Sequence, residues 1–235
     1  MPAYFDPTRT AIVDEINGNL LIRTDMPIRQ SDSTFAYQEL QTTVQRDFGA
    51  YQSLLDISVI DNVGERESLR LEANAFGVNL DETLPESFWV PWQTGYDRSQ
   101  LLGSEVSYNG GQRPGNLVWW PFEGLPKNER PNVYLTSPGW DFNGLVEFLI
   151  AQALNPLPKV ILFHCMLGAD RTGALHRGYL MKAKKMHYNQ ACDVADASCQ
   201  AGHPNQDYDR LSKAYFSFLK PPAPVVVAKS PFKRA

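Results

Sequence analysis

The chain has 235 residues, which suits one domain with additions and a substantial buried core. Its 43% hydrophobic and 20% charged residues make an ordinary globular balance, and a net charge of −4 argues against a large non-specific nucleic-acid surface. Three cysteines, Cys165, Cys192 and Cys199, are too few for a disulfide framework, and no apolar run of about 18 residues exists to span a membrane.

The chain starts without the basic and apolar stretches of a signal peptide, and residues 1–17 read as an irregular lead-in. Residues 19–24, Asn-Leu-Leu-Ile-Arg-Thr, read as a first strand. Residues 34–51 mix helical and loop signals. Residues 54–60 are a second strand candidate, apolar and β-branched. Over 65–76 a helix is expected, with Leu69, Ala73 and Phe76 on one face and Gly77 at its end. A short strand is expected from residue 78 to 80.

Residues 93–116 contain Gly95, Gly103, Gly110, Gly111, Pro114 and Gly115 and few apolar residues. They read as an inserted loop that helps to form a substrate cleft, with a tolerated surface insertion as the alternative. Trp89, Trp92, Trp119 and Trp120 flank it and are more often core than ligand platform. An amphipathic helix is expected over 141–155, stopped by Pro156 and Pro158. A buried strand follows over 158–164, then helices over 173–186, 189–199 and 206–219. Residues 1–220 thus form a single domain, and the proline-rich residues 221–235 form a flexible tail. Cys199 and His203 have metal-ligand spacing but no second pair, so chance explains them.

Between the last buried strand and its helix lies His164-Cys165-Met166-Leu167-Gly168-Ala169-Asp170-Arg171-Thr172-Gly173. A strand, a loop and a helix N-terminus make an anion site, because the first helical N–H groups have no internal partner. Cys165 is the candidate nucleophile: thiols near helix N-termini titrate at roughly 3.5 to 7.5 rather than near 8.5. Residues Met166, Leu167, Gly168, Ala169 and Asp170 would wrap the phosphate, with Gly168 permitting the tight turn. Arg171 offers a planar fork for two phosphoryl oxygens as charge shifts in the transition state. Thr172 can donate its hydroxyl to the sulfur and help the thiolate leave. His164 is expected to orient the loop through hydrogen bonds rather than to act as a base.

The string resembles the signature of the cysteine-dependent protein tyrosine and dual-specificity phosphatase superfamily, and the likeness extends more loosely over residues 15–220. That resemblance implies a three-layer α/β fold, with a central, mainly parallel sheet of four or five strands flanked by helices. It implies a two-step reaction through a cysteinyl phosphate and no cofactor or metal. The family carries its general acid in a Trp-Pro-Asp loop. Here Trp120-Pro121-Phe122-Glu123-Gly124-Leu125-Pro126 keeps the frame, but Phe122 occupies the aspartate position. Glu123 and Asp170 are the replacement acids, with Asp170 favoured because it resembles the Asp-Arg-Thr of phosphatases that act on both protein and lipid. A helix-capping role is the alternative for Asp170.

Phosphotyrosine in proteins is the expected substrate, with a phosphoinositide as the variant reading. A catalytically weak module that only holds phosphorylated partners is the competing class. An active thiol favours a reducing compartment, so the cytoplasm is expected, including a host cytosol entered by a secreted effector. Oligomeric state is left open by the sequence.

Overall fold

The computed structural model describes residues 4–61, 64–77, 102–108, 111–120, 131–136 and 141–219. Strands β1 (Ala11–Ile16) and β2 (Asn19–Thr24) form an antiparallel hairpin. Its turn is Asn17 and Gly18, at φ 53° and 80°. Left-handed backbone at both positions is what a two-residue hairpin turn requires, and Asn-Gly supplies it at least cost. This strand corrects the expectation of an irregular lead-in.

The chain continues through α1 (Tyr37–Val44), β3 (Ser53–Ser58) and α2 (Arg66–Ala75). Next come β4 (Leu102–Tyr108) and β5 (Gly111–Trp119), an antiparallel pair. Much of the segment expected to be a glycine-rich loop is therefore sheet. Its glycines and polar residues hide the period-2 alternation, and β5 is held by its pairing with β4 and, from Gly115 onward, with β3 rather than by its own pattern. The strand expected over 78–80, Trp89, Trp92 and the tail lie outside the described residues.

The last elements are α3 (Val133–Thr136), α4 (Phe142–Ala153), β6 (Lys159–His164), α5 (Asp170–Ala183), α6 (Tyr188–Ala197) and α7 (Gln206–Leu219). Asp141 caps α4 by accepting the Gly144 N–H at 2.9 Å. Helix α5 starts three residues earlier than its sequence pattern suggests, so Arg171 and Thr172 belong to its first turn.

The strands make one sheet in the order β1-β2-β6-β3-β5-β4. The inner strands β2, β6, β3 and β5 are parallel, and β1 and β4 close the edges antiparallel. The expected mainly parallel sheet is present, extended to six strands by the two hairpins. Alternation along the strands divides the core. Leu21, Ile57, Ile161 and Phe163 face α3–α7, whereas Leu20, Ile22, Leu54, Val160 and Leu162 face α1 and α2. Three layers result, as βαβ connectivity demands. Trp119 and Trp120 are both buried, one in each core.

Gly178 marks where α4 and α5 pack closely. A Cβ there would stand 2.8 Å from Val146 Cγ2 and 3.1 Å from Phe142 Cζ. Replacing glycine inside a helix gains about 0.5–1 kcal/mol of propensity, but overpacking against a β-branched neighbour costs about 1–3 kcal/mol. Gly178→Ala should therefore lower the unfolding free energy by roughly 1 kcal/mol in urea titration; a rise would show that the two helices separate freely.

Candidate active site

The parallel register brings three strand ends to one level: Thr24 of β2 pairs with His164 of β6, which pairs with Ser58 of β3. Sites of open α/β sheets form at this carboxyl edge. Cys165 follows His164 directly, and the loop 165–169 runs into α5.

The loop is shaped by bonds to its outward-facing carbonyls. Arg9 Nη1 donates to Leu167 O at 2.6 Å, and Arg23 Nη2 donates to Gly168 O at 2.7 Å. The Met26 N–H reaches Met166 O at 3.4 Å, and the Gly173 N–H bonds Ala169 O at 2.8 Å. With carbonyls held outward, peptide N–H groups turn inward. Those of Leu167 and Thr172 favour the charged form of the Cys165 sulfur. Gly168 sits at φ 67°, where a Cβ would lie 3.0 Å from both Thr24 O and Asp25 N, so only glycine fits.

Burial alone pushes the Cys165 thiol up, but the Arg171 guanidinium, the Thr172 hydroxyl and the two N–H groups outweigh it, so the net shift is downward. The Thr172 hydroxyl accepts the Cys165 N–H at 2.7 Å, which leaves its proton available to the sulfur. Arg171 is aimed by a pair of acceptors: Nη1 donates to Val59 O at 3.1 Å and Nη2 to Glu65 Oε1 at 2.5 Å. Glu65 Oε2 also accepts the Asp61 N–H at 2.8 Å, so the carboxylate is itself fixed. Burial opposes the Arg171 charge, but the thiolate and Glu65 push its titration further up, so it is a permanent cation.

Asp170 is the first residue of α5, and both its oxygens are engaged by Asn205. Oδ1 accepts the backbone N–H at 2.6 Å and Oδ2 accepts Nδ2 at 3.0 Å. This bond ties the loop to the segment before α7. Glu123 lies outside the described residues. Met166 and Ala169 are half-buried, and Leu167 is 50% exposed at the rim. His164 is fully buried on the opposite side of the strand from the sulfur, with Nδ1 3.2 Å from Cys165 O.

Four side chains escaped the sequence reading. Arg23 was visible as a charge inside an apolar strand. It is buried between Gly168 O, Ala195 O at 2.8 Å and the His176 ring at 3.3 Å. Burial first, then the charges of Arg23 and Arg177, push His176 down to about 3, so it stays neutral beside them. Arg9 carries no sequence signal, since only the tertiary fold brings it to the loop. Glu65 stands in the sequence as a plain helix start. Tyr208 of α7 packs against Arg171 in the core, and burial pushes its phenol up.

No known family's sequence profile matches the chain, and no curated protein matches it. The solved structures it is similar to are tyrosine or dual-specificity phosphatases and their relatives. The active form of Tk-PTP is 13% identical over 89% of this chain and 97% of its own, with a TM-score of 0.46. A human tyrosine phosphatase-like serine/threonine/tyrosine-interacting protein is 13% identical over 92% and 97%, also at 0.46. TpbA of P. aeruginosa is 18% identical over 93% and 92%, at 0.43. Likenesses this distant carry nothing about activity, so function must come from the loop's own geometry.

The loop geometry makes a direct demand on Gly168. Gly168→Ala should weaken binding of inorganic phosphate or vanadate at least about tenfold, with the fold retained by circular dichroism. Unchanged affinity in calorimetry would mean that the tight turn does not shape the anion nest.

Proposed function

We propose that the protein is a cysteine-dependent phosphomonoesterase acting on phosphotyrosine in proteins. The observation that carries this reading is the Cys165 sulfur, with its titration lowered by Arg171 and faced by the loop N–H groups at the start of α5. A thiolate in that place attacks phosphorus while the inward N–H groups and the Arg171 fork hold the equatorial oxygens. The P–O bond to the leaving group breaks, and that oxygen takes a proton from a carboxylic acid. Water then attacks phosphorus, the S–P bond breaks, and the carboxylate takes the proton back. No cofactor or metal takes part in this scheme. Thr172 stabilises the departing sulfur by its hydroxyl proton.

The two carboxylates available for proton transfer are Asp170, held beside Arg171 by Asn205, and Glu123 on the Trp120 loop. We assign the acid to Asp170. The uncharged loop residues Met166, Leu167 and Ala169 favour a singly phosphorylated group over a polyphosphorylated lipid headgroup, which needs cations there. A cytoplasmic place of action follows from the need to keep Cys165 reduced.

Purified protein should hydrolyse p-nitrophenyl phosphate in the presence of a chelator, and Cys165→Ser should abolish turnover. Activity that survives the substitution, or that requires a divalent ion, would reject the thiolate mechanism. Loss of a proton donor hurts poor leaving groups most. Asp170→Asn should therefore steepen the dependence of rate on leaving-group pKa, with losses of about 10²-fold or more for alkyl phosphates. If Glu123→Gln gives that steepening instead, the acid is Glu123. Faster release from phosphoinositides than from phosphotyrosyl peptides would overturn the substrate assignment.

A further inference from the structure

Behind the phosphate loop, on the face of the sheet covered by α2, lies a cluster of buried ionisable groups that the proposed reaction does not use. Asp56 of β3, Glu72 of α2 and His164 of β6 are each 0% exposed, and their ligating atoms all lie within 4.8 Å of one another. His164 Nε2 is 2.6 Å from Glu72 Oε1, and Nδ1 is 3.2 Å from Cys165 O. Both of those partners are acceptors. A neutral imidazole has one N–H and can serve only one of them, whereas an imidazolium serves both. Asp56 Oδ1 lies 3.2 Å from the same Nε2 but out of hydrogen-bonding line, and neither Asp56 oxygen receives a hydrogen bond.

One buried cation balances one carboxylate. Two carboxylates this close, shielded from water, cannot both stay ionised. Glu72 has the donor and Asp56 has none, so the proton belongs on Asp56. We propose that Asp56 and Glu72 act as a protonated acid–carboxylate pair that keeps His164 a doubly bonded imidazolium, and that this cation positions the Cys165 peptide and favours its thiolate. Asp56 and Glu72 are then positioning residues.

The titration directions agree with the geometry. Burial first, then the Glu72 charge, pushes Asp56 up to about 7 against the opposing His164. Burial opposes the His164 charge, but Glu72 and Asp56 outweigh it and carry His164 well above its ordinary value. The other groups on this face do not compete. Asp25, after β2, accepts the Asp6 N–H at 3.0 Å and interacts with His164 only through its charge. The Trp119 indole N–H of β5 is committed to Ile60 O at 2.9 Å. Ser58, two residues beyond Asp56 on β3, has an unpartnered hydroxyl. The short His164–Glu72 separation suits a shared proton rather than a metal. Ligands on a tetrahedral ion with bonds of about 2.0–2.2 Å stand roughly 3.3 Å or more apart.

The consequence for Cys165 rests on its reading as a nucleophile, but the charge state of His164 does not. Nitrogen chemical shifts of ¹⁵N-histidine-labelled wild-type protein at pH 7.5 should show His164 as an imidazolium. A neutral ring overturns the proposal without any variant having to fold. The second arm follows the pH dependence of Cys165 alkylation by iodoacetamide. Glu72→Gln should raise the thiol inflection by about one unit, a tenfold loss of thiolate below it. Asp56→Asn keeps the side chain neutral, so it should move the inflection much less while removing the inflection near pH 7 from the His164 shifts. An unmoved inflection in Glu72→Gln, or a stoichiometric metal ion in the purified chain, also overturns the proposal. If Cys165→Ser still hydrolyses phosphate esters while His164 remains an imidazolium, the phosphatase reading falls and this one stands.

Discussion

Peptide N–H groups do not converge on one point unless their carbonyls are bound elsewhere, and that constraint organises this molecule around Cys165. The carbonyls of Met166, Leu167, Gly168 and Ala169 are each bonded, to Met26 N–H, Arg9, Arg23 and Gly173 N–H. Two of those donors are charged and long, and both come from the N-terminal hairpin region. A neutral hydrogen bond contributes about 1 kcal/mol, and a charged donor roughly twice that. The hairpin is therefore not an appendage: it is the outer wall that holds the loop in register. This also explains why β2 lies directly beside β6 in the sheet rather than at an edge.

The position of Cys165 was legible from sequence because its signal is local. Strand, cysteine, glycine, arginine and helix follow one another within ten residues, and each has one physical use. The helices α2, α4 and α7 were legible because their apolar residues recur at helical spacing. What stayed hidden depends on distant pairing. Residues 111–116 lack strand alternation, and pairing with β4, joined by β3 from Gly115 onward, makes them a strand. Arg9 meets the loop across 158 positions of chain. Two signals were present but unread. Asn17-Gly18 between two apolar runs announces a hairpin, and Glu72 shares the buried face of Leu69, Ala73 and Phe76. An acid on an apolar helix face requires a buried partner, and His164 is that partner.

Charge is compartmentalised across the sheet. On the α5 face Arg23 and Arg177 are buried together, which is tolerable because His176 between them stays neutral and Asp196 and Asp209 take up Arg177 at 2.7 and 3.0 Å. At the strand ends Arg171 is balanced by Glu65, a pair 12% and 14% exposed that an incoming phosphate can reach. On the α2 face the sign is reversed, with two acids around one imidazole. The sheet is one strand thick between these compartments, so His164 and Cys165, adjacent in sequence, point into opposite environments.

That arrangement sets stability against function. Asp25 and Asp56 are both raised from the ordinary carboxylate range to about 7, chiefly by burial. A raised acid binds its proton more tightly in the folded chain than in the unfolded one. Its contribution is complete below the unfolded value near 3.8 and is lost as pH rises through about 7. The thiolate moves the other way, growing with pH and drawn below its ordinary value by Arg171. Raising pH therefore fills the nucleophile while it charges two buried acids beneath it. Asp25 makes the conflict tangible, since its backbone N–H stands against Gly168 and its carboxylate holds Asp6, the residue that pairs with Arg9 at 3.4 Å. The Asp6 N–H favours the ionised form of Asp25, but burial and the neighbouring Asp6 charge oppose it more strongly, so alkaline pH places a poorly solvated charge against the N-terminal wall that keeps the loop carbonyls turned outward.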